Sequence, residues 1–266
     1  MRVRAHTVGV CPACGHGQVL DPPEDPGAIY GEAYFEGGAD DGYAAYGATE
    51  PVLRREFRRS LARLRRHVPG GRLVEIGCAY GVFLDEARAS FDVVGIEISR
   101  AAAARAQARG LDVVCGAADP RVLAARGPFD AAVLLDVIEH LADPSGVLRA
   151  LARILRPGAA VMLTTGDFGS ILARAAGRRW RLMTPPQHLH FFTRTSLGAA
   201  LARAELRIVS VRRPTKLVPV ALAAYQLARV AGPAAPLARR LARRVPSGAG
   251  VPVNLFDTVE VIATRA

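Results

Sequence analysis

From Arg72 onward the chain alternates short apolar runs with amphipathic or alanine-rich stretches, and this rhythm leaves few folds open to it. The runs at 73–76, 93–98, 111–115 and 129–135 have the length of strands. After Asp130 the last of them is apolar without interruption, as expected where helices cover both faces of a sheet. Helices are predicted from the glycine loop to Ser90, from Ser99 as N-cap to about Gly110, over 144–155 and over 195–204, with Pro157-Gly158 closing the third. Further strands are predicted at 159–165, 206–211 and 257–264. Strand and helix in turn predict an α/β fold, a doubly wound, mainly parallel, seven-stranded sheet with right-handed crossovers.

Two domains are expected. Residues 1–50 are acidic, rich in Gly and Pro, and hold four of the six tyrosines, and they read as an irregular N-terminal lobe. Residues 51–266 form the main domain. It opens with an amphipathic helix over 51–68, with Pro51 in its first turn and Phe57, Leu61, Leu64 and Val68 along one face. Two segments break the rhythm. One is 168–192, with Trp180, His188 and His190. The other is 216–253, read as a helical insertion before the last strand. Both are expected at the C-terminal edge of the sheet.

Half of the 266 residues are hydrophobic, enough to build a core without disulfides or metal staples. Cys11 and Cys14 form one CxxC pair while Cys78 and Cys115 are scattered, which excludes a secreted disulfide framework. No signal-like apolar run follows Met1, and no stretch reaches the roughly 18 apolar residues of a membrane span, so the expected location is the cytoplasm. The net charge of +11 comes from arginine, Lys216 being the only lysine. The arginines cluster at 54–66 and 229–244, predicted helices with few aromatics. That pattern reads as a solvated helix face and disfavours a nucleic-acid groove, which needs stacking side chains.

The segment from Val74 to Gly81 runs from a strand into a helix and carries Glu75, Gly77, Cys78 and Ala79. Open α/β sheets bind ligands at the carboxyl ends of their strands, where the strand order reverses. Glycine there lets main chain approach a ligand closely. Glu97, about 20 residues beyond Gly77, ends the next strand and is placed to accept hydrogen bonds from ribose hydroxyls. NAD and S-adenosylmethionine both fit that geometry, and the spacing separates them. A dinucleotide loop reads G-x-G-x-x-G over a helix N-terminus. Here three residues separate Gly77 from Gly81, and Glu75 precedes them. An acid suits a ligand with an ammonium group and a sulfonium better than a pyrophosphate.

These residues resemble motif I of class I S-adenosylmethionine-dependent methyltransferases, E/D-x-G-x-G-x-G, with Ala79 replacing the middle glycine. The stretch Gly95-Ile96-Glu97-Ile98-Ser99 resembles their ribose-binding strand end. The segment from Phe129 to Pro144, with Asp136, Val137, Glu139 and His140, resembles the fourth-strand motif of the type 11 and type 23 subgroups. Leu155-Arg156-Pro157-Gly158 resembles their helix-to-strand turn, and the stretch from Pro185 to Thr193 resembles a block that precedes a substrate-side helix. The resemblance implies a methyltransferase acting on oxygen or carbon of a small molecule, with S-adenosylmethionine as cofactor. It implies that Glu75, Gly77, Cys78, Ala79 and Gly81 line the methionine and ribose portions and that Glu97 holds the ribose hydroxyls. Ile98 then packs on adenine, and Asp136 and Val137 approach the methionine portion. Asp119 either lies near adenine or caps the helix before Pro120. A Tyr-Phe-x-Gly-Gly stretch shared with relatives supports a lid formed by Tyr34, Tyr43 and Tyr46.

For a hydroxyl or acidic-carbon acceptor a general base helps, and histidine matches neutral pH. His140 and His188 are the catalytic candidates, each weighed against a structural role; Trp180 reads as a core or lid aromatic more than a substrate platform. No metal is expected. Structural zinc takes four ligands, and Cys11 and Cys14 resemble only the second of two knuckles that relatives carry. Two other functions stay open. One is a nonenzymatic S-adenosylmethionine-binding protein. The other, favoured by charge alone, is a nucleic-acid methyltransferase, for which an Asn/Asp-Pro-Pro-Tyr/Phe motif is missing. The basic, apolar insertion admits a lid over a quinone, polyketide or lipid-linked sugar, or a peripheral contact with anionic membranes. Nothing in the sequence fixes the acceptor or the oligomeric state.

Overall fold

The computed structural model describes residues 1–36, 46–220 and 249–265. The N-terminal lobe contributes β1 (Arg2–Val3), β2 (His6–Val10), β3 (Gly17–Val19), a 3-10 turn at Pro26–Tyr30 and α1 (Glu32–Phe35). The main domain begins with α2 (Glu50–Leu64), β4 (Gly71–Ile76), α3 (Val82–Ala87), β5 (Phe91–Glu97), α4 (Arg100–Gln107), β6 (Asp112–Cys115) and α5 (Pro120–Arg126). It continues with β7 (Phe129–Leu135), α6 (Pro144–Ile154), β8 (Leu155–Gly166), α7 (Ile171–Ala176), β9 (His190–Phe191) and α8 (Arg194–Arg203). The last described elements are β10 (Leu206–Arg212), β11 (Lys216–Pro219), β12 (Gly250–Val253) and β13 (Thr258–Arg265).

Seven strands form the central sheet in the order β10-β13-β8-β7-β4-β5-β6. Pairs from β8 to β6 are parallel, and β13 is antiparallel to both of its neighbours, so it alone runs against the sheet. The sheet is the Rossmann-like, mainly parallel one expected from the alternation. Both faces of its centre are covered. Val74 and Leu134 pack toward α5, α6 and α8, while Leu73 and Val133 pack toward α2, α3 and α4. Ser99 caps α4 as expected, accepting from Ala102 N, and Thr193 forms a capping box with Ser196.

The structure corrects several expectations. The lobe at 1–50 is not irregular throughout, since β1, β2 and β3 form an antiparallel sheet joined at its edge by β9 from the 168–192 segment. Strands of two to five residues carry too short a pattern to be read as alternation. The ends of the 216–253 insertion are the antiparallel strands β11 and β12, not helix; residues 221–248 lie outside the described residues. The arginines of α2 do more than face solvent. Arg54 binds Glu50, Asp85 and Glu86, Arg58 binds Glu86, and Arg63 binds Glu260, which docks the helix on α3 and β13. Among the described residues, no helix is long and apolar enough to cross a membrane.

Trp180 is a core residue, 3% exposed, and its indole N–H donates to Asp257 Oδ2 at 2.8 Å. Arg181 donates to both oxygens of the same carboxylate, at 3.0 and 2.9 Å. Asp257 therefore anchors the segment after β8 to the start of β13. Asp257→Ala leaves the buried indole N–H unpaired, and urea titration is expected to show a loss of about 3 kcal/mol.

Candidate active site

The strand order reverses at β4, and a cavity of about 510 Å³ opens at the carboxyl ends of β4, β5 and β7. Glu75, Gly77, Cys78, Ala79, Glu97, Ile98, Asp119, Asp136, Val137 and His140 all line it. Gly81 does not. It starts α3 at φ 73°, and a Cβ there would lie 2.3 Å from Leu111 Cδ1, so its task is a close turn against the neighbouring helix and strand. Tyr43 lies outside the described residues; Tyr34 and Tyr46 line the cavity.

Glu75 is 3% exposed, and its Oε2 is buried with no hydrogen-bond partner. Burial, then the nearby Glu97 charge, raises its carboxyl well above the ordinary range. Gly77 has φ 69°, and a Cβ there would stand 2.6 Å from Val137 Cγ2, so bare main chain is required beside that wall. Glu97 accepts from Ala79 N at 2.8 Å and from Ser99 N at 2.7 Å, which holds the glycine loop against the end of β5. Burial raises the Glu97 carboxyl, and those N–H groups oppose it. Asp119 caps α5 through Arg121 N at 2.7 Å and also lines the cavity, so both of its expected roles are compatible.

Ala79 sits at φ 47°, in the region an L side chain resists. Ala79→Gly is expected to raise stability in chemical denaturation by about 1 kcal/mol, less the entropy glycine adds to the unfolded chain.

Asp136 is also left-handed, at φ 56°. Its N–H donates to Thr164 Oγ1 at 2.9 Å, Thr164 Oγ1 donates to its Oδ1 at 2.8 Å, and Lys216 Nζ donates to its Oδ2 at 2.7 Å. Desolvation by the cavity wall works against the charge of Asp136, yet the Lys216 ammonium brings its carboxyl below the ordinary value. Lys216 also lies 3.3 Å from Glu56. Lys216 carried no expected role, although a single lysine in an arginine-rich chain was an available signal.

Tyr30, Tyr34, Phe35, Tyr46, Leu53 and Phe57 add an aromatic and apolar half to the lining, with Glu56 among them. His140 stands at its border. The His140 Nδ1 lies 2.8 Å from Tyr30 Oη and 2.9 Å from the Gln187 carbonyl. Burial lowers the His140 imidazole to about 4. His188 does not line the cavity; its ring stands perpendicular behind His140, centroids 4.6 Å apart, and burial takes it to about 3. His190 is buried in the lobe interface, with His16 Nε2 at 3.2 Å from its Nδ1. His16 also faces Ser196, so both of its ring nitrogens are engaged. A cluster not foreseen from sequence is Glu139, His140 and His188, whose ligand atoms lie within 4.8 Å of one another and could share a cation. Burial, then the Asp136 charge, raises Glu139 to about 8.

The cavity fits S-adenosylmethionine on its own chemistry: an unpartnered buried carboxyl for an ammonium, side-chain-free main chain at Gly77, and a carboxylate ending β5 for a ribose. The profile of a family described as a methyltransferase domain, type 23, matches residues 51–211. The chain belongs to this methyltransferase family. It is an S-adenosylmethionine-dependent enzyme. A ubiquinone biosynthesis O-methyltransferase of Hahella chejuensis is 29% identical over 164 residues, covering 57% of this chain and 69% of that one. Another of that name from Caulobacter vibrioides is 38% identical over 100 residues, covering 35% of this methyltransferase and 40% of the relative. The solved magnesium protoporphyrin IX methyltransferase of Synechocystis, with S-adenosylmethionine bound, shares the fold at a TM-score of 0.54 and 13% identity, covering 93% of this chain and all of that one.

Proposed function

We propose that this methyltransferase acts on a hydroxyl oxygen of a small, apolar, quinone-type ring. The observation that carries the reading is the aromatic half-cavity ending at His140, next to the half that fits the cofactor. The names of the two relatives support an oxygen acceptor on such a ring. In this reading Glu75 pairs with the cofactor's ammonium, and Gly77, Cys78 and Ala79 pass beneath its amino-acid and ribose portions. Glu97 accepts from the ribose hydroxyls, Ile98 and Asp119 flank the adenine, and Asp136 and Val137 border the methionine portion.

When bound, S-adenosylmethionine supplies an electrophilic methyl on a sulfonium, and the protein contributes chiefly orientation and exclusion of water. The neutral imidazole of His140 would take the hydroxyl proton as that oxygen is aimed at the methyl the cofactor would supply. His188 backs the His140 ring. Incubation with tert-butylhydroquinone, tert-butylcatechol, an alkylamine and an RNA oligonucleotide tests the reading by mass spectrometry. Methyl ethers of the first two are expected; methylation confined to the amine or the RNA would contradict it.

The Glu139–His140–His188 cluster favours a second reading of the same step, in which these side chains would hold a cation that would lower the hydroxyl pKa. Treatment with EDTA separates the two. Turnover persists if the imidazole acts alone. It is lost, and restored by added divalent metal, if a cation takes part.

Glu75 gives a pH signature. Its folded pKa is raised, so the folded state holds a proton that the unfolded chain releases above the ordinary carboxylate range. This contribution to stability is full below that range and is lost as pH rises toward the folded value. Thermal melts across pH are expected to show the decline, and Glu75→Gln to flatten it. Binding of an ammonium favours ionised Glu75, so calorimetry in buffers of different ionisation enthalpy should detect proton release with the cofactor.

A further inference from the structure

We propose that Tyr30 is a positioning residue that, together with the Gln187 carbonyl, holds the tautomer and ring direction of His140. The effect on turnover rests on the base reading above; the positioning itself rests on geometry. A carbonyl oxygen can only accept, so the Gln187 carbonyl, 2.9 Å from His140 Nδ1, requires a hydrogen on that nitrogen. Tyr30 Oη lies 2.8 Å from the same nitrogen and 3.4 Å from the Gln187 oxygen. One arrangement satisfies all three atoms: the phenol donates to Gln187, and its lone pair shares the Nδ1–H. Nε2 is then the unprotonated nitrogen.

The main chain delivers Tyr30 to this place. Asp25 caps the Pro26–Tyr30 turn by accepting from Gly27 N at 2.8 Å, and a Cβ on Gly27 would stand 3.0 Å from Ile98 Cδ1. The turn therefore spans the cavity from Ile98 to His140. The edge of Tyr34, centroids 5.1 Å away, holds the Tyr30 ring. Burial raises the phenol far above its ordinary range, so it remains neutral. With the hydroxyl gone, one acceptor remains on Nδ1–H, and less opposes a flip of the imidazole about its ring axis.

Tyr30→Phe keeps the ring and removes only Oη. The full chain, labelled with 15N-histidine, is examined by NMR, and His140→Ala assigns the His140 resonances. The wild type is expected to show His140 neutral, protonated at Nδ1, with a slowly exchanging Nδ1–H. In Tyr30→Phe that proton should move upfield and exchange faster. The kcat toward tert-butylhydroquinone should fall about fivefold, as for one neutral hydrogen bond, while cofactor affinity by calorimetry is unchanged. A wild-type proton on Nε2 overturns the inference, as does a variant whose Nδ1–H resonance is unmoved. A cofactor affinity that falls in step with kcat, with the resonance unmoved, assigns Tyr30 to packing and overturns it too. Full turnover by His140→Ala removes the base reading alone and leaves the NMR result to decide the positioning.

Discussion

Glu97→Ala is expected to weaken S-adenosylmethionine binding about a hundredfold by calorimetry. The side chain ends β5 at the cavity wall, 4% exposed, with Ala79 N and Ser99 N donating to separate oxygens. Each oxygen keeps a lone pair for a ribose hydroxyl. Hydrogen bonds to a charged acceptor contribute about 1.5–3 kcal/mol each, so losing two, partly replaced by water, costs about 3 kcal/mol, or two orders of magnitude. The Ala79 and Ser99 N–H groups also lose their acceptor, so the melting temperature should fall as well. Glu97→Gln keeps one acceptor oxygen, and an intermediate loss of about tenfold is expected. Unchanged affinity in both variants would detach Glu97 from the cofactor.

His140→Ala is expected to lower kcat by about 10²–10³ while leaving cofactor affinity intact, the range lost with a positioned general base. The imidazole borders the aromatic half of the cavity, and its low pKa of about 4 keeps it unprotonated at neutral pH. The sign follows. A base is lost as pH falls through its pKa, so the acid limb of kcat/KM should lie near pH 4. An unperturbed histidine would place it near 6.5. His188→Ala should have a smaller effect, because its ring stands behind His140 and outside the cavity. Equal losses in both variants would move the base assignment away from His140.

The strands at 73–76, 93–98 and 129–135 were legible because buried parallel strands are short, mainly apolar runs bounded by turn residues. Their ends carry Glu75, Glu97 and Asp136, and strand-end placement follows from the fold class, so most of the cavity wall was legible too. What escaped depends on contacts between distant residues. The Lys216–Asp136 pair joins positions 80 residues apart, and no local pattern announces it. Nor does any local pattern announce that β13 enters the sheet antiparallel between β8 and β10. Tyr30 was one of four tyrosines in the lobe, and only the Pro26–Tyr30 turn sets it apart by placing it on His140. Gly81 carries the motif's spacing, but its φ and its contact with Leu111 give it a packing task away from the cavity. The aromatic character of Trp180 was visible, whereas the partner of its indole N–H, Asp257, lies 77 positions away.

A crystal structure of the full chain with S-adenosylhomocysteine decides whether this cavity holds the cofactor. The product's ammonium should lie on Glu75, its ribose hydroxyls within hydrogen-bond distance of Glu97, and its sulfur facing the aromatic half-cavity beside His140. A ligand seated elsewhere, or one whose ribose leaves both Glu97 oxygens untouched, would contradict the account.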